Sequence, residues 1–397
     1  MAAARDARVN PVHLALLALT LGHVFSNATR TLPAVAADLM MRDLGISAEA
    51  LAAITGAFPL AFALSMVPVG VALDRYGVRP VALTLLAIAG AGAALAAAAP
   101  DAGTLLLAQV VLGAGCSGMM MAPMTHAARA LPQAAFPMWS GLIQGIGNTG
   151  MLLSASPLAW LVEVAGWRAG FLACLALAGL GAVAVALTLR DVPIAPQPGR
   201  TLAGDVRGVL AFLTARRLRG LFALAFVSFG AVLGLRGLWG GPWLMEVKGM
   251  PRVAAGHVLL AGTVALVIAP AFAGIVAARI GRLPALLIGG HVVAALCILA
   301  LVAGGPLGAP AWLDAAVMVT FGVAIAFQVL CFTELRNRVR PEEAGRALSA
   351  INMYFFGGAA ALQALSGLAA LAGGIAAALL TFALALLVGT ALYARWR

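Results

Sequence analysis

The chain has 397 residues, 63% of them hydrophobic and only 10% charged, with a mean hydropathy of +1.03. A soluble domain carries about 25% charged residues, so these proportions exclude a water-soluble globular protein and make lipid the solvent for most of the length. The net charge of +11 does not indicate a nucleic-acid partner, because the basic residues sort by side of a membrane rather than along one binding face.

Apolar runs long enough to cross a ~30 Å hydrocarbon core recur from end to end. They predict twelve spans, at 12–38, 49–72, 80–99, 103–128, 136–161, 168–190, 219–245, 254–278, 284–304, 311–334, 345–370 and 372–394. The runs are too long and too uniformly apolar for the alternating strands of an outer-membrane barrel, so the fold class is all-α integral membrane.

With the N-terminus inside, four basic residues (Arg42, Arg168, Lys248 and Arg252) fall in outer loops, and Arg30 and Arg236 fall within spans. The other basic residues, among them Arg5, Arg8, Arg75, Arg79, Arg129 and Arg200, fall in inner loops. This asymmetry predicts a plasma (bacterial inner) membrane protein with both termini cytoplasmic.

Span 1 holds the stretch HVFSNATRTLP, residues 23–33. His23, Asn27 and Arg30 are spaced i, i+4 and i+7 and share one narrow helix face, with Pro33 just beyond. Arg30 lies eight residues before Asp38, roughly 12 Å below the outer surface at 1.5 Å per residue. The run is too long for a signal peptide and lacks a small-residue cleavage pattern.

After span 2 comes GVALDRYGVRP, Gly70–Pro80. Asp74 ends the span on the inner side, and Gly77 permits a tight turn.

Span 4 gathers Met119, Met120, Met121, Met124 and His126, a soft-ligand set that suits Cu(I). Met is equally a packing residue, and three consecutive Met residues cannot face one way on a helix. In span 5, Gln144 and Asn148 share a face. The four cysteines, Cys116, Cys174, Cys297 and Cys331, fall within spans without CxxC spacing, so neither a disulfide framework nor a zinc site is indicated. No cofactor is called for.

The long polar break begins DVPIAPQPGR. Its prolines and glycine read as a linker, and the part near 201–216 reads as a short amphipathic helix on the inner surface. The boundaries are a first bundle over 1–190, a cytoplasmic linker over 191–218 and a second bundle over 219–397.

Span 7 carries Arg236 ten residues before Glu246, roughly 15 Å down. Trp239 and Trp243 share its face, and Gly240-Gly241-Pro242 reads as a helix interruption. Trp239 is placed to wall a cavity and stack on a guanidinium; Trp243 does the same or anchors at the interface. Further polar candidates are Gln328 in span 10, and Asn352 and Gln363 in span 11. Spans 3, 9 and 12 hold almost nothing polar apart from His291.

A buried cation costs about 2.5–3.5 kcal/mol at the bilayer centre on insertion scales. No mid-span acidic residue lies within two turns of Arg30 or Arg236 in sequence. The alternative is that each guanidinium bonds freed carbonyls or snorkels. The stronger reading is that the missing anion is cargo, because Arg binds carboxylate or phosphate through paired, charge-assisted hydrogen bonds.

The two halves repeat. An offset of 204 superimposes Gly70, Arg75, Gly77 and Pro80 on Gly274, Arg279, Gly281 and Pro284, and Asn148 on Asn352. Parallel six-span repeats are a pattern of secondary transporters.

GVALDRYGVRP resembles the signature loop of the major facilitator superfamily, G-x-x-x-D-R/K-x-G-R/K-R/K, and the resemblance extends over the whole chain. It implies two six-helix bundles rocking around a central site, lined by spans 1, 4, 7 and 10 with 2, 5, 8 and 11, while 3, 6, 9 and 12 face lipid. It also implies that Asp74 locks one state by engaging the opposite bundle near span 11, that Arg75 and Arg79 extend this network, and that Gly70 and Gly77 shape the loop. Ala278 stands at the Asp position of the second copy.

Paired arginines on spans 1 and 7 resemble the organophosphate:phosphate antiporter branch, where two such arginines grip the phosphate; LGLRGLWGGPWLMEV looks similar, with a different Arg-to-Pro spacing. That branch's helper lysines have no counterpart, since Lys248 falls in an outer loop, so a small carboxylate fits equally. The chain departs from the drug/proton antiporters: Gln109 occupies their span 4 Arg position, and span 5 lacks their Gly-Pro ending.

The expectation is a monomeric secondary transporter of a small organic anion, not an enzyme, as no HExxH, GxSxG or Walker loop is present. Arg30 and Arg236 are the anion ligands. Asn27, His23, Trp239, Gln144, Asn148, Gln328 and Asn352 line the path, coupled to a proton or counter-anion. The alternatives are a drug or metabolite efflux pump, a copper importer using the span 4 Met/His cluster, and a non-transporting sensor of the same fold.

Overall fold

The computed structural model describes residues 11–155, 157–190, 201–305 and 310–397. The Pro-rich start of the expected linker, 191–200, and the two N-terminal arginines Arg5 and Arg8 lie outside the described residues. Among the described residues every regular element is a helix. The chain divides into two compact units, residues 1–131 with 146–199 and residues 132–145 with 200–397.

In the first unit, α1 (Pro11–Val35) runs through Arg30 and Pro33 and stops short of the expected end. Asp38 belongs instead to the first turn of α2 (Ala37–Leu44), where a carboxylate favours the positive end of the helix dipole. Ser47 accepts a hydrogen bond from Ala50 N and starts α3 (Ala48–Tyr76). Gly77, at φ 91°, turns the chain directly into α4 (Val78–Ala97), a conformation that a residue with a Cβ rarely adopts.

Asp101 caps α5 (Ala102–Cys116) by accepting from Thr104 N at 2.8 Å. That bond to the ionised form holds its carboxyl below the usual range. The expected span 4 lies within one apolar segment, Ala102–Ala130, in which a turn over 117–120 separates α5 from α6 (Met121–Ala130). The first unit is completed by the second half of α7 (Phe136–Ala155) and by α8 (Pro157–Thr188), which bends at Gly166. Helix α4 packs on α5 and α8, α3 on α5, and α1 on α8. A Cβ on Gly113 would stand 2.3 Å from the Phe58 carbonyl oxygen, and one on Gly115 2.5 Å from Ala89 N. Bare backbone therefore sets the spacing of α3, α4 and α5, as small residues do between membrane helices.

The second unit contains the first ten residues of α7, then α9 (Leu202–Leu213), the short helix expected in the linker and capped by Thr201. Helix α10 (Arg219–Val232) leads into a widened stretch: π-helical Leu233–Trp239, the short α11 (Gly240–Pro242) and π-helical Trp243–Val247. Then follow α12 (Arg252–Ile280), α13 (Leu283–Gly304), α14 (Ala311–Ile325), α15 (Leu330–Arg336) and α16 (Ala344–Trp396). A continuous apolar core joins Leu235, Trp243, Ile298, Phe321 and Phe382.

Ten helical segments among the described residues are long and apolar enough to cross a membrane. One of them, Pro341–Trp396, contains both expected spans 11 and 12, divided at Gly373 and Gly374. The expected span 5 is a helix, α7, but is not among the ten. Large apolar side chains face outward, including Leu64 at 70%, Leu187 at 80% and Leu371 at 86% exposure, a surface that only lipid solvates favourably. The chain is a multi-pass helical membrane protein.

Candidate functional site

In the first unit, α1 presents the expected polar face to α7. Asn27 is buried; its Nδ2 donates to the Gly147 carbonyl at 3.0 Å, and its Oδ1 accepts from Arg30 Nη2 at 2.7 Å. The side-chain amide thus fixes one edge of the half-buried guanidinium. His23 is buried one turn earlier, and its ring occupies the place where a Cβ on Gly147 would stand, 1.7 Å from Cδ2. Gly150 meets the Val24 carbonyl in the same way, at 2.1 Å. The α1–α7 contact therefore sets His23 and Asn27 against Gly147; the next residue, Asn148, is buried.

In the second unit, Arg236 lies half-buried in the π-helical stretch. Gly240 N–H donates to Leu235 O, five residues back, and Lys248 N to Trp243 O. Gly240-Gly241-Pro242 thus widens the helix rather than breaking it as expected. Pro242 stays in helical geometry, and the bare Gly240 admits the Leu235 oxygen, which would stand 2.2 Å from a Cβ. Such π turns inside helices are frequent at functional sites.

Arg236 Nε donates to Thr263 Oγ1 at 2.7 Å, and Thr263 in turn donates to Leu259 O at 2.8 Å. No carboxylate of the described residues lies within ion-pair distance of Arg236. Trp239 does not stack on a guanidinium as expected: its Nε1 donates to Ser366 Oγ at 2.9 Å, which holds the indole on α16. Trp243 is 1% exposed and part of the apolar core, so it is neither a cavity wall nor an interface anchor.

Gln328 sits in a 3-10 turn, Ala326–Val329, and Asn352 on α16 donates from Nδ2 to Leu348 O. The amide oxygens of both are buried and accept no hydrogen bond from the described residues, which leaves two acceptors in this unit for water or cargo. Gln144 is half-buried on the part of α7 that belongs to the second unit.

At the signature loop, Asp74 is buried and Arg129 Nη2 reaches its Oδ1 at 2.6 Å, while Arg129 Nη1 donates to Leu73 O. Arg79 donates to Ala186 O on α8 at 3.2 Å, and Arg75 lies over the Tyr76 ring. Gly70 is buried. The carboxylate's partner within its own unit is thus Arg129, which the loop motif does not contain. Arg129 stands one residue beyond the expected span 4, on the same expected inner side as Asp74, and that shared side was the available signal.

Lys248 is not a solvated loop charge either. It is 4% exposed and pairs with Asp314, 3% exposed, at 3.3 Å. Ala278 replaces the acid in the second copy of the loop; elsewhere in the same unit Glu334 pairs with Arg338. In the Met/His stretch, Met119, Met121, Met124 and His126 are buried. Among the described residues no three His, Cys, Asp or Glu side chains gather as metal ligands. All four cysteines are buried free thiols.

The family model described as Major Facilitator Superfamily matches residues 19–363. The methylenomycin A resistance protein of Bacillus subtilis is 23% identical over 235 residues, which are 58% of this chain and 47% of that protein. The sialic acid transporter NanX of Escherichia coli is 25% identical over 297 residues, covering 73% of this chain and 71% of that one. The chain thus spans about half the length of the first of these relatives. The crystal structure of FucP, an MFS transporter in the outward conformation, aligns with a TM-score of 0.79 at 16% identity over 98% of this chain and 99% of that one, a likeness of fold.

Proposed function

Because this chain belongs to the Major Facilitator Superfamily, we propose that it is a secondary transporter of a small organic anion, a carboxylate or a phosphate ester. In this reading twelve spans form two six-helix bundles over 1–190 and 219–397, joined by a cytoplasmic linker, and access alternates between the two sides of the plasma membrane. Arg30 and Arg236 are the anion ligands. Asn27, His23, Trp239, Gln144, Asn148, Gln328 and Asn352 line the path, and Asp74 with Gly70, Arg75, Gly77 and Arg79 acts in gating.

The observation that carries the reading is the state of Arg236. Its Nε is held by the neutral Thr263 hydroxyl, and both terminal amino groups make no hydrogen bond to a described residue. A guanidinium so oriented offers the two parallel N–H groups that match a carboxylate or phosphate edge. The cost of holding a cation in a membrane segment is then recovered when an anion arrives. The sialic acid transporter is a relative named for an acid. The other relative is named for resistance, and export of an anionic compound is the second reading.

The test is thermal stability of the purified protein across a panel of small carboxylates and phosphate esters, repeated with Arg30→Ala and Arg236→Ala. One class is expected to raise the melting temperature of the parent protein and of neither variant. A ligand that stabilises all three equally would remove the arginines from the site.

A further inference from the structure

Away from both arginines, the second unit holds a 390 Å3 apolar groove between the start of α10 and the two halves of α16. Phe222, Phe226, Leu362 and Val388 contribute its walls, and Val388 is 58% exposed, so the groove opens sideways toward lipid. Phe222 stacks on Tyr354 with ring centroids 4.5 Å apart, and Tyr354 Oη donates to Leu213 O at 2.7 Å. These contacts tie the end of α9 over the groove and hold it open as a formed recess.

Its polar rim is basic. Arg219 lines the mouth, exposed, with its guanidinium 4.7 Å over the Trp396 ring. Arg216 and Arg217 precede it, their turn held by a bond from Arg338 to Arg217 O. Arg395 and Arg397 flank Trp396 and are exposed. Among the described residues no carboxylate lines the groove and none pairs with Arg219. Phe226 lies seven residues along α10 from Arg219, roughly 10 Å at 1.5 Å per residue, which matches the inner part of an acyl chain below its headgroup.

We infer that this groove is a binding site for an anionic phospholipid: Arg219 and its basic neighbours take the phosphate, and one acyl chain lies against Phe222 and Phe226. Clustered basic residues beside a membrane helix bind acidic headgroups in this manner. The site is independent of the transported anion, because none of its residues belongs to the proposed path.

The test is native mass spectrometry of delipidated protein in detergent, titrated separately with phosphatidylglycerol and phosphatidylcholine. Phosphatidylglycerol is expected to bind in preference. Arg219→Gln is expected to weaken it about fivefold, the worth of one basic residue at an acidic surface, while Arg219→Lys keeps it. Ala223→Trp, which fills the groove while retaining every basic residue of the rim, is expected to abolish the preference while leaving the unliganded melting temperature near that of the parent. Equal binding of the two lipids, or an undiminished preference in Ala223→Trp, overturns the inference. Displacement of the lipid by millimolar inorganic phosphate assigns the rim to a free anion and overturns it too.

Discussion

Arg129 Nη2 lies 2.6 Å from Asp74 Oδ1, and the aspartate side chain is wholly enclosed while the arginine side chain is 19% exposed. The more exposed member is thus the one that can be removed while the other stays trapped. Arg129→Gln is expected to cost about 3–5 kcal/mol, because a buried charge loses its counter-charge. The Asp74→Asn/Arg129→Gln double variant is expected to recover most of that loss, and denaturation midpoints of the three proteins check it. Equal stability of Arg129→Gln and the parent would show that other neighbours suffice for Asp74.

Lys248 and Asp314 obey the same logic at a site where both partners are enclosed. Lys248→Met is expected to destabilise by about 3–5 kcal/mol, whereas Lys248→Met/Asp314→Leu is expected to be neutral or more stable by about 1–4 kcal/mol, as apolar replacements of buried ion pairs often are. Melting temperatures in detergent separate the two outcomes. A double variant less stable than the single one would mean that the pair contributes more than its mutual neutralisation.

These two pairs also mark where the sequence stops being legible. Arg30 and Arg236 stand out because each interrupts an apolar run, and the face shared by His23, Asn27 and Arg30 follows from helical spacing alone. Arg129 and Lys248 sit at span ends, where a charge reads as solvated. Their partners lie 55 and 66 residues away in the chain, and only packing brings them together. The π-helical stretch is hidden for another reason. Gly240-Gly241-Pro242 announces that an ordinary helix cannot continue unchanged, but the surrounding core, with Trp243 within it, decides between a break and a widening. Trp239 likewise is claimed by a hydroxyl 127 residues on, which no local pattern foretells.

The His23 ring fills the space that a Gly147 side chain would need. Gly147→Ala is therefore expected to be strongly destabilising on its own and to be rescued by His23→Ala, which vacates that volume. Gly150→Ala is expected to find no such rescue, since its clash is with the Val24 carbonyl. A double-mutant cycle on melting temperature measures the coupling, expected within about 0.5–3 kcal/mol for residues in direct contact. Additive losses for Gly147→Ala and His23→Ala would contradict the contact.

Thr263 orients Arg236 without carrying charge. Thr263→Val should retain the cation but release its Nε, so the anion-dependent rise in melting temperature is expected to shrink without vanishing, whereas Arg236→Ala removes it. Arg236→Lys keeps the charge but loses the fork that makes two parallel bonds, and is expected to fall between the two. If Arg236→Lys matches the parent, the site reads charge alone and the bidentate geometry is unnecessary.

Gln133 Nε2 donates to Asn337 Oδ1 at 2.9 Å across 204 residues, the same offset that superimposes the two copies of the loop. Nearby, Ser140 and Thr333 hydroxyls lie 3.5 Å apart, and a Cβ on Gly141 would stand 2.1 Å from the Pro270 carbonyl. In an alternating-access cycle this close contact is expected to part when the inner side opens. Gln133→Cys/Asn337→Cys joined by a short, thiol-cleavable reagent should therefore halt uptake of the stabilising anion into proteoliposomes, and reduction should restore it. The native cysteines are buried and give a low background. Uptake that continues at the parent rate with the link intact would show that this contact stays closed throughout the cycle.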